Sequence, residues 1–527
     1  MRSLGIGARD GPRVRAQTGS VALPAVSAPP SLRPNRPRPH RLADLACALG
    51  LPPPSADAQL TGVSLNSRTV RPGDLYAALP GSRTHGAGYA GDAAAAGAAA
   101  VLTDPTGREL AAATGLPVLV HDAPRAVLGW LAAVVYGDPS GTLLVLGVTG
   151  TNGKTTTAYL LDHALRQAGH RTGLIGTVET RIAGQAVPSV RTTPEAPELQ
   201  AAFAAMVEHG VTAVAMEVSS HALALGRVDG TRFAAGAFTN LSQDHLDFHA
   251  GMEEYFAAKA LLFDGRCAHE VVNVDDRYGR RLVKPGTVTV SAAGDPRASW
   301  RATDLVAEPG GQRFRVLGPG GLDLPAAIRL PGAFNAANAL LAVGTLAAVG
   351  VDASDAVKGI ADTVVPGRLE PVDAGQPYAA LVDYAHTPEA VGRLLAAVRA
   401  STPGRVIAVL GCGGDRDRAK RPLMGAAAAR GSDLLVVTDD NPRSEQPAAI
   451  RSAMLAGAVA VPPGERGEVI EIGDRREAIA AAARAARPGD TVVVAGKGHE
   501  QGQEIAGAVL PFDDRAVLRA ALGEASG

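Results

Sequence analysis

The chain has 527 residues, 46% of them hydrophobic and 20% charged, with a formal net charge of −1. That composition fits a globular protein of two to four domains and excludes one built as a whole to coat nucleic acid or an anionic membrane. Cys47, Cys267 and Cys412 are too few and too far apart for a disulfide framework or a CxxC zinc site, and no run of about 18 apolar residues predicts membrane insertion.

Residues 1–40 are rich in Arg, Pro, Gly and Ser with little apolar periodicity, and predict a disordered basic extension. From 41 to 139 the elements are short: a helix near 42–49, an Ala-rich helix at 93–100, a strand at 101–103 and an apolar helix at 126–136. The turn Gly137-Asp138-Pro139-Ser140-Gly141 marks the first boundary. A continuous apolar run at 142–148 then predicts a buried parallel strand. It feeds a glycine-rich loop and a helix with Ala158, Leu161, Leu165 and Ala168 on one face. Buried strands are also expected at 213–218 and 235–239, and this second unit, 140–366, closes at Pro366-Gly367.

From 367 to 527 strands and helices alternate. Strands are expected at 380–384, 405–410, 434–438, 469–472 and 491–495, with helices at 388–400, 420–430, 446–459 and 475–487. Alternation of this kind predicts right-handed βαβ units in a Rossmann-like, doubly wound sheet, with ligands at the C-terminal ends of the strands. The fold class expected overall is α/β in three domains.

The text Gly150-Thr151-Asn152-Gly153-Lys154-Thr155-Thr156 sits between a strand and a helix, the context of a phosphate cradle. Glycines free backbone N–H groups to face phosphates, the helix N-terminus adds positive charge, Lys154 reaches the β/γ-phosphates and the Thr155 hydroxyl suits Mg²⁺. Glu217 ends a strand, well placed for Mg²⁺ in the Walker-B manner. The DHxDxH text from Asp244 through His245 to His249 could hold a transition metal, but beside a phosphate loop a nucleotide–Mg²⁺ role is the reading preferred. Only six of the 51 basic residues are lysines, at 154, 259, 284, 358, 420 and 497. In so arginine-biased a chain, a lysine marks a position with a reason to be lysine.

Together these motifs resemble the Mur ligases, ATP-dependent amide-bond synthetases of peptidoglycan precursor assembly, from about 42 to 515. The TGTNGKT loop at 149–155, the EVSSH text at 217–221 and the TNLSxDHLDxH text at 239–249 carry the resemblance. It implies a UDP-substrate-binding domain at 41–139, an ATP-binding domain at 140–366 and an amino-acid-binding domain at 367–527. It implies Thr155, Glu217, His245 and Lys259 as the Mg²⁺ set, with Lys259 carbamylated by CO₂, a change that turns a cation into a carboxylate and is closed to arginine. Lys154, Lys259, Glu217 and His245 would be the catalytic set. ATP would lie on Gly150–Thr156, Asn335, Asn338, Arg368 and Asp383.

For a UDP-muramyl dipeptide, the resemblance implies Leu65, Ser67, Ser82, Arg83, Thr84, Thr192, Thr193, Ser219 and Arg227. Asn66, Arg191 and Leu225 depart from the usual family residues. Asp440-Asn441-Pro442-Arg443 matches the DNPR text of members that add meso-diaminopimelate rather than lysine. An arginine fork can bind the extra carboxylate of that diamino acid, and lysine would leave it unpaired. Arg416, Gly496 and Glu500 match the remaining contacts, with Glu500 suited to an ammonium. The expected enzyme is thus a cytoplasmic ligase of small molecules, using ATP and Mg²⁺, monomeric as is usual in the family, with no nucleic-acid partner. A folylpolyglutamate-type ligase, a nucleotide-binding scaffold module and a metallohydrolase are the competing readings.

Overall fold

A computed structural model describes residues 31–81, 83–187, 191–246, 248–308 and 310–525. The architecture is α/β, with three main sheets that follow one another along the chain.

The first sheet is parallel, in the order β1 (Gly62–Ser64), β2 (Asp74–Ala78), β3 (Ala100–Thr103) and β4 (Val118–Val120). Helix α1 (Pro124–Val135) follows and packs Leu128, Leu131, Ala132 and Val135 into the core of this sheet. The Ala-rich helix expected at 93–100 is shorter, Ala90–Ala95, and Ala100 already belongs to β3. Alanine favours helix, but here the run must end early to pair with β2.

The disordered extension expected over 1–40 needs correction over 31–40 only. Residues 1–30 lie outside the described residues. From Ser31 onward the chain is anchored: Arg33 Nη1 donates to Asp74 at 2.8 Å and Nη2 to Tyr136 at 3.1 Å, while the Asn35 and Arg36 N–H groups donate to Glu208 at 2.8 and 2.7 Å. Composition hides this because one arginine with a buried carboxylate partner outweighs a polar, proline-rich neighbourhood.

The second sheet has eleven strands. In chain order they are β5 (Leu144–Thr149), β6 (Thr172–Ile175), β7 (Thr180–Ile182), β8 (Gln185–Val187), β9 (Ala213–Glu217), β10 (Phe233–Phe238), β11 (Cys267–Asn273), β12 (Val288–Ser291), β13 (Trp300–Glu308), β14 (Gly311–Gly318) and β15 (Leu322–Ile328). Their spatial order is β8-β7-β6-β9-β5-β10-β11-β12-β13-β14-β15. The stretch β6 to β13 is parallel, and both flanks are antiparallel. The strands from 267 to 328 were not anticipated, because β13 and β15 alternate buried and exposed residues and lack the continuous apolar run that betrays β5. Helices α2 (Lys154–Gln167), α3 (Ala196–Glu208), α4 (Met252–Ala260) and α5 (Ala333–Ala348) cover the faces. β5 lies between β9 and β10, so the loops that follow these three strands are neighbours at one end of the sheet.

The third sheet runs β16 (Ala379–Asp383), β20 (Thr491–Ala495), β17 (Val406–Leu410), β18 (Leu434–Val437), β19 (Glu468–Glu471), all parallel, with a short antiparallel edge at Glu370–Pro371. Its helices α6 (Pro388–Ser401), α7 (Lys420–Gly431), α8 (Pro447–Ala460) and α9 (Arg475–Ala485) match the expected spans to within two residues. A hairpin, β21 (Gly502–Ile505) with β22 (Ala508–Pro511), and α10 (Asp514–Ala525) complete it. Among the described residues no helix is long and apolar enough to cross a membrane.

Candidate active site

The loop after β5 is built to close tightly. Gly150 (φ 145°) and Gly153 (φ 90°) occupy the left-handed region, and a Cβ on either would overlap the side chain of Thr239 or Asn338 respectively. The loop after β10 braces it from the side: Thr151 N–H donates to Asn240 O at 2.8 Å, Asn152 N–H to Asn240 Oδ1 at 3.0 Å, and Thr239 Oγ1 to Asn152 O at 2.6 Å. Lys154 curls back over its own loop, its Nζ donating to Gly150 O at 3.0 Å and Thr151 O at 2.9 Å. Loss of hydration lowers its pKa, against the pull of Glu217 and Asp244.

Glu217, 1% exposed at the end of β9, gathers the next set. Its carboxylate accepts from Thr155 Oγ1 at 3.0 Å, Thr177 N–H at 2.8 Å and Thr177 Oγ1 at 3.1 Å. Arg368 reaches in from the third lobe, donating to Thr155 Oγ1 at 3.3 Å with its guanidinium 4.3 Å over the Tyr384 ring. A hydroxyl and a carboxylate side by side at a helix N-terminus are hard oxygen donors that fit Mg²⁺, an ion that takes one or two protein ligands and fills its shell with phosphate and water. Among the described residues no cluster of three or more His, Cys, Asp and Glu stands ready to hold a metal, and Asp247 of the DHxDxH text lies outside them.

His245 adopts φ 53°, a left-handed conformation that costs a non-glycine residue of order 1 kcal/mol and sets the direction of its ring. Burial lowers its pKa to about 4, so the imidazole is neutral at pH 7. Its ring lies 6.0 Å from that of Tyr255, and Lys259 Nζ lies 4.5 Å over the same Tyr255 ring. Lys259, 1% exposed, passes beneath the phosphate loop and donates to Gly150 O at 2.7 Å, the carbonyl that Lys154 also uses. It makes no ion pair among the described residues. Burial, reinforced by the charge of Lys154, lowers its pKa well below the usual lysine value.

One cleft of about 740 Å³ joins most of these groups, while Lys259 lies behind the phosphate loop and outside the cleft lining. Gly153, Lys154, Thr155, Thr156, Glu217 and His245 line the cleft, together with Asn335, Asn338, Arg368 and Asp383 and with Thr192, Thr193, Ser219, Arg227 and Arg416. Asn338 Nδ2 donates to Asn335 Oδ1 at 3.1 Å, and Asn335 Nδ2 to Pro331 O at 2.9 Å, so the two amides are fixed relative to each other. Asp383 accepts from Leu369 and Ala385 N–H at 2.8 and 2.7 Å, and burial raises its pKa. Thr193 Oγ1 donates to Glu217 O at 2.9 Å and accepts the Ser219 N–H at 3.1 Å, tying the TTP text to the end of β9.

The residues expected to hold the diamino acid form a neighbouring cluster in the third lobe, and of them only Arg416 lines the cleft itself. Their loops follow β17, β18 and β20. Arg443, at φ 53°, donates Nη1 to Gly414 O at 2.7 Å and Nε to Glu504 at 3.1 Å. Asn441 Nδ2 donates to Glu500 at 2.9 Å. A Cβ on Gly496 would overlap the Asp440 carboxylate, so that glycine lets the two loops touch. The loops named for the UDP moiety follow β1 and β2. Asn66 caps a short turn by accepting Arg68 N–H at 3.0 Å, and Leu65, Ser67, Arg83 and Thr84 lie on these loops, apart from the cleft lining. Ser82 lies outside the described residues.

Several residues of the site escaped sequence reading. Thr177 lies on a loop with no motif, yet it braces Glu217. His386, by contrast, stands in the 383–388 text that resembles the family's entry to the C-terminal domain, and it lines the cleft with Nδ1 held by Tyr384 O at 2.8 Å. Arg475, fully buried, pairs with Asp514 at 2.7 Å and donates to the carbonyls of Asp439 and Ala495, each one residue before a loop residue named above. Nothing in the sequence couples 475 to 514, since the pairing exists only across the fold.

Comparison with known proteins adds three family matches: "Mur ligase family, catalytic domain" over 59–136, "Mur ligase middle domain" over 148–346, and "Mur ligase, glutamate ligase domain" over 367–498. The UDP-N-acetylmuramoyl-L-alanyl-D-glutamate--2,6-diaminopimelate ligase of Streptomyces coelicolor is 58% identical over 504 residues, covering 94% of this chain and 99% of that one. The protein of the same name from Corynebacterium glutamicum is 51% identical over 490 residues, covering 90% and 95%. A solved structure of a ligase of that name aligns with a TM-score of 0.65 at 32% identity, covering 89% of this chain and 96% of that one.

Proposed function

The chain belongs to the Mur ligase family, and on that premise we propose that it is the ATP-dependent ligase that joins meso-2,6-diaminopimelate to the D-glutamate γ-carboxylate of UDP-MurNAc-L-Ala-D-Glu. The observation that carries the reading is the single cleft in which the phosphate loop, Glu217, the Thr192-Thr193 pair and Arg416 face one another.

Phosphoryl transfer needs positioning and charge stabilisation rather than covalent help from the protein. ATP on residues 150–156, with its base toward Asn335 and Asn338, would present its γ-phosphoryl group to the D-glutamate γ-carboxylate. A carboxylate oxygen bonds to phosphorus, the bond to ADP breaks, and an acyl phosphate results. Lys154 and Arg368 offset the charge on the moving oxygens. Thr155, Glu217, His245 and a carbamylated Lys259 would hold Mg²⁺, whose charge would shield the triphosphate. The neutral amine of the diamino acid then attacks the acyl carbon, an amide forms, and phosphate leaves. Thr192, Thr193, Ser219 and Arg227 would hold the dipeptide end of the UDP substrate, and the loops after β1 and β2 its nucleotide. Arg443 would take the distal carboxylate of diaminopimelate and Glu500 its distal ammonium.

The buried, cation-averse setting of Lys259 supports carbamylation, because CO₂ adds only to a neutral amine and the N–C bond forms with release of a proton. The reading carries with it a monomeric enzyme working in the cytoplasm on small molecules. The test is phosphate release from ATP by the purified protein. It is expected only when the UDP-dipeptide and diaminopimelate are both present. Equal turnover with L-lysine would overturn the choice of amine, and turnover without either acceptor would overturn the ligase.

A further inference from the structure

Lys497 is 0% exposed, although it lies in a loop between two glycines at the end of β20. Gly496 (φ 114°) and Gly498 (φ 55°) both occupy the left-handed region, and this double reversal turns the side chain into the protein. Its Nζ donates to Asn441 Oδ1 at 2.9 Å and to Glu500 Oε2 at 3.1 Å. Asn441 Oδ1 also accepts the Glu504 N–H at 3.0 Å, and Asn441 Nδ2 donates to the same Glu500 Oε2 at 2.9 Å. Two consequences follow. The Asn441 amide can sit only one way round, because both groups that face its oxygen are donors. The donors on Glu500 converge on Oε2, which leaves Oε1 as the acceptor for another cation. Glu504 in turn holds Arg443 at 3.1 Å, so the chain of contacts runs from Lys497 to both charged groups named for the distal end of the diamino acid.

We infer that Lys497 is a positioning residue for diamino-acid specificity: by fixing the Asn441 amide and one oxygen of Glu500, it aims the other toward the distal ammonium of the substrate. The inference rests on the ligase reading above. It also accounts for a lysine in a chain that elsewhere prefers arginine, since a compact ammonium, itself closed off from water, can meet both an amide and a carboxylate where a planar guanidinium is larger.

The experiment compares two amine acceptors, meso-diaminopimelate and 2-aminopimelate, which lacks the distal amine. Wild-type enzyme is expected to favour diaminopimelate in kcat/KM. In Lys497→Met, of similar length but uncharged, the KM for diaminopimelate should rise about tenfold or more. The KM values for ATP and the UDP-dipeptide should stay within about twofold, and the preference over 2-aminopimelate should shrink by a similar factor. A merely structural lysine would lower turnover with both amines equally, and that result would overturn the inference, as would an unchanged preference. Should Lys497→Met be insoluble, Lys497→Gln carries the same comparison. Wild-type protein that ligates neither amine would instead sink the ligase reading, so the two failures are distinct.

Discussion

Lys259 and Lys497 are both closed off from solvent, one under the phosphate loop and the other beside the diamino-acid loops, yet their surroundings differ in kind. Lys259 meets a backbone carbonyl, an aromatic face and a second lysine. Lys497 meets an amide oxygen and a carboxylate. The same side chain at the same burial is poised for chemistry where its charge is unwelcome and for positioning where its charge is matched. Partners, rather than depth, decide the role.

A third buried cation bounds the comparison from above. Arg475 has a complete carboxylate partner in Asp514, and Arg475→Met should destabilise the third lobe by about 3–5 kcal/mol because it strands that buried charge. Thermal unfolding would show it, and a loss below about 1 kcal/mol would mean the pair does little. Next comes Lys259→Arg, which keeps the positive charge but cannot form a carbamate. Tripeptide synthesis should fall about 10²–10³-fold, and short-chain carboxylates should partly restore Lys259→Ala. Wild-type activity in the arginine variant would break the assignment of Lys259.

Arg443→Met should then reduce the preference for diaminopimelate over lysine by about tenfold to a hundredfold, read as a ratio of kcat/KM values. The smallest effect is the most telling. Folding lowers the pKa of Lys259, so the unfolded chain holds that proton more tightly and burial costs stability at neutral pH. In CO₂-depleted buffer Lys259→Met should therefore raise the melting temperature by a few degrees, about 1 kcal/mol. The gain should fade as pH rises toward the ordinary lysine value of 10.5. Lys497→Met should lower the melting temperature instead. Two shifts of the same sign would erase the contrast between the lysines.

Much of the phosphate-loop region was legible in the sequence because its chemistry is contiguous: strand, glycines, lysine, threonine and helix follow one another, and physics demands that order. The diamino-acid region was legible only in fragments. Arg416, the Asp440–Arg443 pair and Glu500 stand in three separate loops, and the order of β20, β17 and β18 in the sheet is what brings those loops side by side. The antiparallel strands β13 to β15 were missed because half-exposed strands carry no continuous apolar run. Arg475 and Asp514 were invisible since a pair formed across the fold leaves no periodicity in either segment. Arg33 was misread for the opposite reason, its disorder-like neighbours outvoting one specific partner.

The arm that carries Arg33 has a mechanical consequence. It pins Asp74 and Tyr136 of the first lobe and, two residues later, Glu208 of the second. The same two lobes touch backbone to backbone where Gly129 meets Asp229 and Gly230, so closely that a methyl group on either glycine would collide. Strapped and interlocked in this way, the first two lobes are fastened to one another at two separate places, one through charged side chains and the other through bare backbone.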